Sequence, residues 1–393
     1  MNEIQKYWFL YLTIFMDGLI LCLISIPRII YIAKKRKLFD VPDNKRKIHV
    51  TITPNIGGMG IFFGYIITIA LFIKPELFPQ LHFIIASSFI LFLTGLYDDL
   101  ASVSPTIKFV AQIVAAMVTV YFGDIHINSL YGIFGIYELP HYAAIAFSIV
   151  GCVFVTNAFN LIDGIDGLAG SIGLLASLLL GLCLATSGSI DGAGAACVAF
   201  GLAGATVGFL RYNIAPARIF MGDTGSLFTG FNISILAILC VNSYHPNSML
   251  HAVVHSEKGI LVVALSILFV PVFDSFRVFI NRARKGISPF KADRTHLHHL
   301  LLDAGFSHSE TVAILITSNV LLITVVLYMQ DENPNIAIAY LLAVSLTLFS
   351  LLYYTRKKRL ARNKMMFEKN SSLAKTFENN QAANGHILSP TEK

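Results

Sequence analysis

Apolar runs long enough to cross a bilayer recur along almost the whole of this 393-residue chain, and they leave little freedom in how it can fold. A hydrocarbon core of about 30 Å takes roughly 20 helical residues, and inside it the backbone must satisfy its own hydrogen bonds. Such runs fall near 8–32, 56–73, 81–97, 106–122, 141–159, 167–186, 191–210, 226–241, 259–280, 310–329 and 336–355. About eleven spans predict an all-α fold, a polytopic integral membrane helical bundle over residues 1–355. The sixth and seventh runs are separated only by SGSIDG, and the run at 226–241 is short, so those boundaries are the least defined. With 55% hydrophobic and 13% charged residues, an ordinary soluble domain is excluded. The first run is too long for a cleavable leader and has no small-residue cleavage site, so it reads as a span. Residues 356–393 read as a cytoplasmic tail, basic at first (RKKRLARNK, suited to lipid headgroups) and then polar and disordered.

Lysine and arginine set the orientation. The loops 33–50 and 281–309 and the tail after Tyr354 hold most of them and fall on one side, whereas Lys6, Lys74 and Lys258 fall on the other. The positive-inside rule then puts the N-terminus outside and the C-terminus in the cytoplasm. The net charge of +6 is accounted for by topology and anionic headgroups, with no nucleic acid needed. The five cysteines lie in or beside apolar runs without a C-x-x-C pair, which points to neither a disulfide framework nor a zinc site.

Four acidic clusters then stand out. YDD at 97–99, NLIDGIDG at 160–167, the segment 213–226 with Asp223, and KADRTHLHH at 291–299 all emerge on the cytoplasmic side. Carboxylates beside hydrocarbon are costly unless they line a polar site. Several aspartates around one polar cleft suit a hard divalent cation such as Mg2+, which takes carboxylates together with substrate phosphates. Asn157, Asn160 and Asp163 are three apart and drift about 60° per step along one flank of a helix end. Gly164 and Gly167 loosen the backbone so that Asp166 can turn toward the same space, and Gly222 and Gly225 flank Asp223 in a turn that a phosphate could approach. Each feature alone has a plainer reading: paired aspartates cap helices, Asp-Gly marks turns, and Gly201, Gly204 and Gly208 suit close helix packing. His245, His251 and His255 on the opposite side do not have the spacing of a metal site. A secondary transporter would also combine acids with glycine-broken helices, but its site would lie near the midplane between repeats.

In chain order, RKIHVTITPNIGGMGIF, GLYDDL with KFVAQIVAA, NAFNLIDGIDGLAG, RYNIAPARIFMGDTGS and DRTHLHHLLLDAG resemble the polyprenyl-phosphate N-acetylhexosamine-1-phosphate transferases, over roughly residues 28–310. Within them the chain is most similar to the bacterial UDP-GlcNAc:undecaprenyl-phosphate transferases that begin O-antigen, teichoic acid and related glycans. The branch that transfers phospho-MurNAc-pentapeptide usually carries three consecutive histidines where this chain has Leu297 between His296 and His298. The resemblance implies a phosphotransferase of the bacterial inner membrane, with a cytoplasmic cleft open laterally to the bilayer. It would use Mg2+, or Mn2+ in its place, to transfer GlcNAc-1-phosphate from UDP-GlcNAc to undecaprenyl phosphate. Another UDP-N-acetylhexosamine or UDP-MurNAc-pentapeptide is the alternative donor, and a homodimer is compatible with this type of protein.

Chemistry matched to that pattern assigns roles. Asp223 is the first choice of metal ligand, with Asp99 beside it; Asp98 and Asp99 serve the lipid phosphate, one as base and the other as orienting or metal group. Phe220 stacks on uracil while Asn213 and Asp166 read its edge, and Asn157, Asn160 and Asp163 organise the phosphate end of that pocket. Lys108 is a phosphate contact, and Lys47 and His49 meet the lipid phosphate or the nucleotide. Arg294, His296, His298 and His299 suit the sugar and pyrophosphate, His299 also being placed to orient its loop, while Asp293 only shapes it. After YDD the chain reads LASVSP, so it lacks the further charges the family often carries there.

Overall fold

The computed structural model describes residues 3–36, 53–286 and 295–385. Lys47, His49, Asp293 and Arg294 lie outside them. Thirteen α-helices account for most of the described residues: α1 (Glu3–Arg36), α2 (Gly58–Phe72), α3 (Leu81–Ala101), α4 (Pro105–Met117), α5 (His141–Ile162), α6 (Leu168–Thr186), α7 (Ile190–Asn213), α8 (Gly222–Asn242), α9 (Glu257–Ile267), α10 (Phe269–Arg284), α11 (Leu297–Asp303), α12 (His308–Met329) and α13 (Pro334–Gly385). A small hairpin, β1 (Ser129–Ile133) against β2 (Ile136–Glu138), closes the loop between α4 and α5. The chain is therefore an all-α, multi-pass membrane protein.

The eleven apolar runs all become helix, but not eleven equal spans. Among the described residues nine helices are long and apolar enough to cross a membrane by themselves. The run at 259–280 is two helices, α9 and α10, bent by 68°. Pro271 explains the break: it has no N–H to give, and its ring clashes with the carbonyl four residues back, which belongs to Ile267, the last residue of α9. The pair still traverses the bundle. Ahead of α9, His255 N and Val253 O bond Gln330 just past the end of α12, while Asp274 of α10 bonds Leu297 N at the start of α11, the short helix that precedes α12. The run at 56–73 yields only the 15 residues of α2, about 22 Å of helix at about 1.5 Å per residue, with a non-helical turn in front of it.

The core is α7 and α8, both buried along nearly their whole length. Between helices in lipid, close van der Waals packing replaces the hydrophobic effect, and α7 supplies small residues for it. A Cβ on Gly204 would lie 2.0 Å from the Phe15 carbonyl oxygen, and one on Gly208 would lie 2.8 Å from Cys22 Cβ. α1 thus runs along α7, with Tyr212 Oη reaching Leu23 O at its end.

The tail departs from expectation. α13 continues without interruption to Gly385, well past the boundary at 355. Polarity argues against burial of residues 356–385 but not against helix, since that stretch is rich in Lys, Arg and Ala and has no Pro or Gly before Gly385.

Candidate active site

Up-and-down connection brings alternate helix ends to one face. The C-terminal ends of α3, α5 and α7 meet the N-terminal ends of α2, α4, α6 and α8 around a cavity of about 480 Å³. Asp98, Asp99, Asn160, Asp163, Asp166, Asn213, Phe220 and Asp223 all line it, together with Asn55, Gly164 and His308. Three of the four acidic clusters therefore share one space; of the fourth, Asp293 lies outside the described residues.

At its centre, ligand atoms of Asp98, Asp99 and Asp223 lie within 4.8 Å of one another. Lys108, in the first turn of α4, donates to Asp223 Oδ2 at 2.8 Å and to Asp98 Oδ2 at 3.2 Å. Asn160 donates from Nδ2 to Asp223 Oδ1 at 2.9 Å and to Ser226 Oγ at 2.8 Å, so Asp223 is steered from α5 as well. Asp99 accepts the N–H groups of Asp223 and Thr224 at 3.0 and 2.9 Å, placing a carboxylate on the open N-terminus of α8 where the helix dipole favours it.

The glycines around Asp223 admit protein backbone rather than ligand. A Cβ on Gly58 would lie 2.1 Å from Gly225 N, and one on Gly222, whose φ is +69°, would lie 1.9 Å from Asn55 O. Backbone bonds from Gly57 and Gly58 to Phe220 O and Met221 O, and from Phe220 N to Pro54 O, clamp the two segments together. The turn at 222–225, expected to let a phosphate approach, is also a packing surface for the segment TPNIGG, with Gly222 lining the cavity.

Asp163 caps α5. Burial, and then the negative charges of Asp223 and Asp99, hold its carboxyl well above the usual range, against a backbone hydrogen bond from Gly222. Gly164 does not simply loosen the chain: a Cβ there would lie 2.4 Å from His298 Nε2. His298 is buried and its two ring nitrogens have no hydrogen-bond partner among the described residues. Burial, with His299 next to it, pushes its pKa down to about 3. Its ring stacks on His296 at 5.8 Å and tilts against His299 at 4.2 Å, so the three histidines form a strip beside the Asp163–Asp166 turn.

At the other end of the cavity, Asp166 accepts Ala217 N at 3.0 Å and stands 3.5 Å from His308 Nδ1. Asn213 is committed on both sides, accepting from Gly167 N and donating to Ile219 O. The Phe220 side chain, 40% exposed, is open to the cavity. Asn157 does not line it. Two 60° steps put it on another flank from Asp163, where its amide pairs with Gln112 of α4 and Val153 O.

Sequence reasoning passed over Asp274, Arg277, Gln112 and His308. Asp274 carried a usable signal, an acid inside the apolar run FVPVFDSFRVFI, where charge needs a function or a partner. His308 looked like an ordinary first-turn residue, and Gln112 like one polar residue in a span.

Comparison with known proteins bears on the chemistry. Residues 81–241 match glycosyl transferase family 4. The chain is 33% identical over 303 residues, 77% of it and 80% of the relative, to a probable undecaprenyl-phosphate N-acetylglucosaminyl 1-phosphate transferase of Bacillus subtilis strain 168. It is 32% identical to a decaprenyl-phosphate N-acetylglucosaminephosphotransferase of Mycobacterium tuberculosis, over 69% of this chain and 70% of the relative. It is 30% identical to an undecaprenyl-phosphate alpha-N-acetylglucosaminyl 1-phosphate transferase of Escherichia coli K12, over 83% of this chain and 86% of the relative.

Proposed function

The chain belongs to glycosyl transferase family 4 and is a membrane phosphotransferase, and from that premise we propose that it transfers GlcNAc-1-phosphate from UDP-GlcNAc to undecaprenyl phosphate, releasing UMP. The observation that carries this reading is the convergence of Asp98, Asp99 and Asp223 within 4.8 Å, beside Lys108, in a cavity that also offers Phe220 and Asp166.

Charge explains why such a site would take a divalent cation. Five carboxylates line the cavity, and Lys108 is the ammonium paired with two of them. A pyrophosphate entering this space would be repelled without further positive charge. The donors are hard oxygens, which fits Mg2+, with Mn2+ as a substitute. Asp223 and Asp98 or Asp99 would hold the ion, which when bound would neutralise the phosphates and the charge that moves onto the leaving UMP.

The residues of the chain do the positioning. Phe220 stacks the uracil and Asp166 faces its edge, which sets the pyrophosphate toward Asn160 and Asp223. Lys108 swings between the carboxylates and a phosphate oxygen. The acceptor's phosphate oxygen attacks the β-phosphorus, a new P–O bond forms, and the bond to the bridging oxygen breaks with its electron pair leaving on UMP. A phosphate monoester with a second pKa near about 6 is largely dianionic at neutral pH, so Asp98 serves orientation more than proton removal. Asn213 braces the nucleotide end without touching the base, since both sides of its amide are used.

The site face is also where the basic helix ends lie: Lys34, Lys35 and Arg36 of α1, Arg282 and Arg284 of α10, and Arg356 to Arg359 of α13. Lys74 and Lys258 lie toward the other face. The positive-inside rule supports a site open to the cytoplasm of a bacterial inner membrane.

The deciding experiment is a donor panel. Purified protein with undecaprenyl phosphate and Mg2+ is given UDP-GlcNAc, UDP-GalNAc or UDP-MurNAc-pentapeptide, and UMP and the lipid product are measured. Turnover with UDP-GlcNAc supports the proposal; use of UDP-MurNAc-pentapeptide alone would overturn it.

A further inference from the structure

We propose that Asp274 is the positioning residue of the histidine strip: it takes the Nδ1 hydrogen of His296 and so fixes that ring, and through it His298, against the Asp163–Asp166 turn of the cavity. This rests on the phosphotransferase reading above for the substrate, but not for the geometry.

Asp274 lies on α10, three residues beyond Pro271, and it is 1% exposed. Its contacts converge on one short segment. Its Oδ2 faces His296 Nδ1 at 2.9 Å, and its Oδ1 accepts Leu297 N at 3.0 Å and Arg277 Nη2 at 2.7 Å. Arg277, one turn further along α10, also donates to Thr295 O. Two side chains of one helix thus grip three consecutive residues, 295–297, at the mouth of α11. A buried carboxylate is stable only when paired and fully bonded, and Arg277 with the Leu297 amide meets that requirement.

The consequence for His296 is geometric. A carboxylate on Nδ1 fixes the tautomer and the ring orientation. Position is passed on by packing: His296 stacks on His298 with an interplanar angle of 8°, and His298 fills the space that a side chain at residue 164 would take. Asp274 therefore registers the histidines against the Asp163–Asp166 turn. The titratable and charged groups around the strip are Asp274 and Arg277 from α10, His298 and His299 from α11, and His308 from α12.

Asp274→Asn, made in the full chain and placed in lipid nanodiscs, tests this. Its kcat should fall about tenfold or more while KM for UDP-GlcNAc stays within about twofold. Adding His296→Gln to Asp274→Asn should cost no more than about twofold again. A rise in KM that matches the fall in kcat, or losses that simply multiply, would overturn the proposal. If Asp274→Asn does not fold, 15N-histidine NMR of the unaltered chain, assigned with His296→Gln, answers the same question without substrate. His296 should carry hydrogen on Nδ1 across neutral pH, and a ring bare at Nδ1 would sink the idea even if UMP release proves the transferase reading correct.

Discussion

The Lys108 ammonium donates a 2.8 Å hydrogen bond to the Asp223 carboxylate. Through its second contact, with Asp98 at 3.2 Å, it spans two of the three acids that would also hold a divalent cation, so lysine and metal would compete for the same oxygens. Lys108→Gln should therefore lower Tm in EDTA, where the carboxylates lose their counter-charge, and should enlarge the Tm rise produced by Mg2+. Turnover should fall about 100-fold because a phosphate contact goes with it. A Mg2+ titration by thermal shift checks the sign, and an unchanged Mg2+ response would separate Lys108 from the metal.

Asp223 has the opposite balance. Asn160 and Lys108 both point at it, yet in the absence of substrate its charge is crowded by Asp98 and Asp99. Asp223→Asn should cut UMP release by about three orders of magnitude while Tm in EDTA holds or rises, since like-charge repulsion is relieved. Near-parental turnover would remove Asp223 from the centre of the reaction.

Gly164 and Gly58 separate two kinds of close approach. A methyl at Gly164 meets the His298 ring, which can shift on its own side-chain torsions, whereas a methyl at Gly58 meets backbone of α8 at 2.1 Å. Gly164→Ala should cost about 1–3 kcal/mol and at least about tenfold in kcat as the strip moves off the Asp163–Asp166 turn. Gly58→Ala should be the more damaging to folding, because neither backbone can yield. Tm and kcat measured on both variants check the order.

The apolar runs were legible because a lipid environment ties run length to helix, and three of the acid clusters converged because alternate helix ends share a face. What escaped the sequence has local causes. The broken span needed Pro271 to be weighed against the carbonyl of Ile267, and hydropathy alone does not register that clash. Asp99 gives no sign in sequence that it caps a helix starting 123 residues later, at Gly222. Gly164 looked like a flexible turn residue because its real neighbour, His298, comes from the far side of five intervening helices. Asn157 shares the periodicity of Asn160 and Asp163 but has drifted out of the cavity onto Gln112.

His298 makes acid stability predictable. Its folded-state pKa of about 3 is below the ordinary histidine value of 6.5, so the unfolded chain binds a proton that the folded one refuses. The contribution of neutral His298 is fully present above pH 6.5 and is lost as pH falls from there toward about 3, by about 1 kcal/mol per unit. His298→Asn should flatten this part of the Tm–pH curve between about pH 6 and 4. A variant that keeps the parental slope would show that the acid sensitivity comes from other groups.

Phe220 offers the cleanest separation of binding from folding. Its backbone holds the segment in place, accepting from Gly57 N and donating to Pro54 O, while its ring is 40% exposed to the cavity. Truncation therefore removes a surface without loosening the turn that carries Asp223. Stacking of a base on an aromatic ring is worth about 1–3 kcal/mol, so Phe220→Ala should raise KM for UDP-GlcNAc by about 10- to 100-fold with Tm unchanged. The KM for undecaprenyl phosphate should stay near the parental value, because the acceptor has no base to stack. A matched rise in both constants would mean that Phe220 shapes the whole cavity and is not the nucleotide platform.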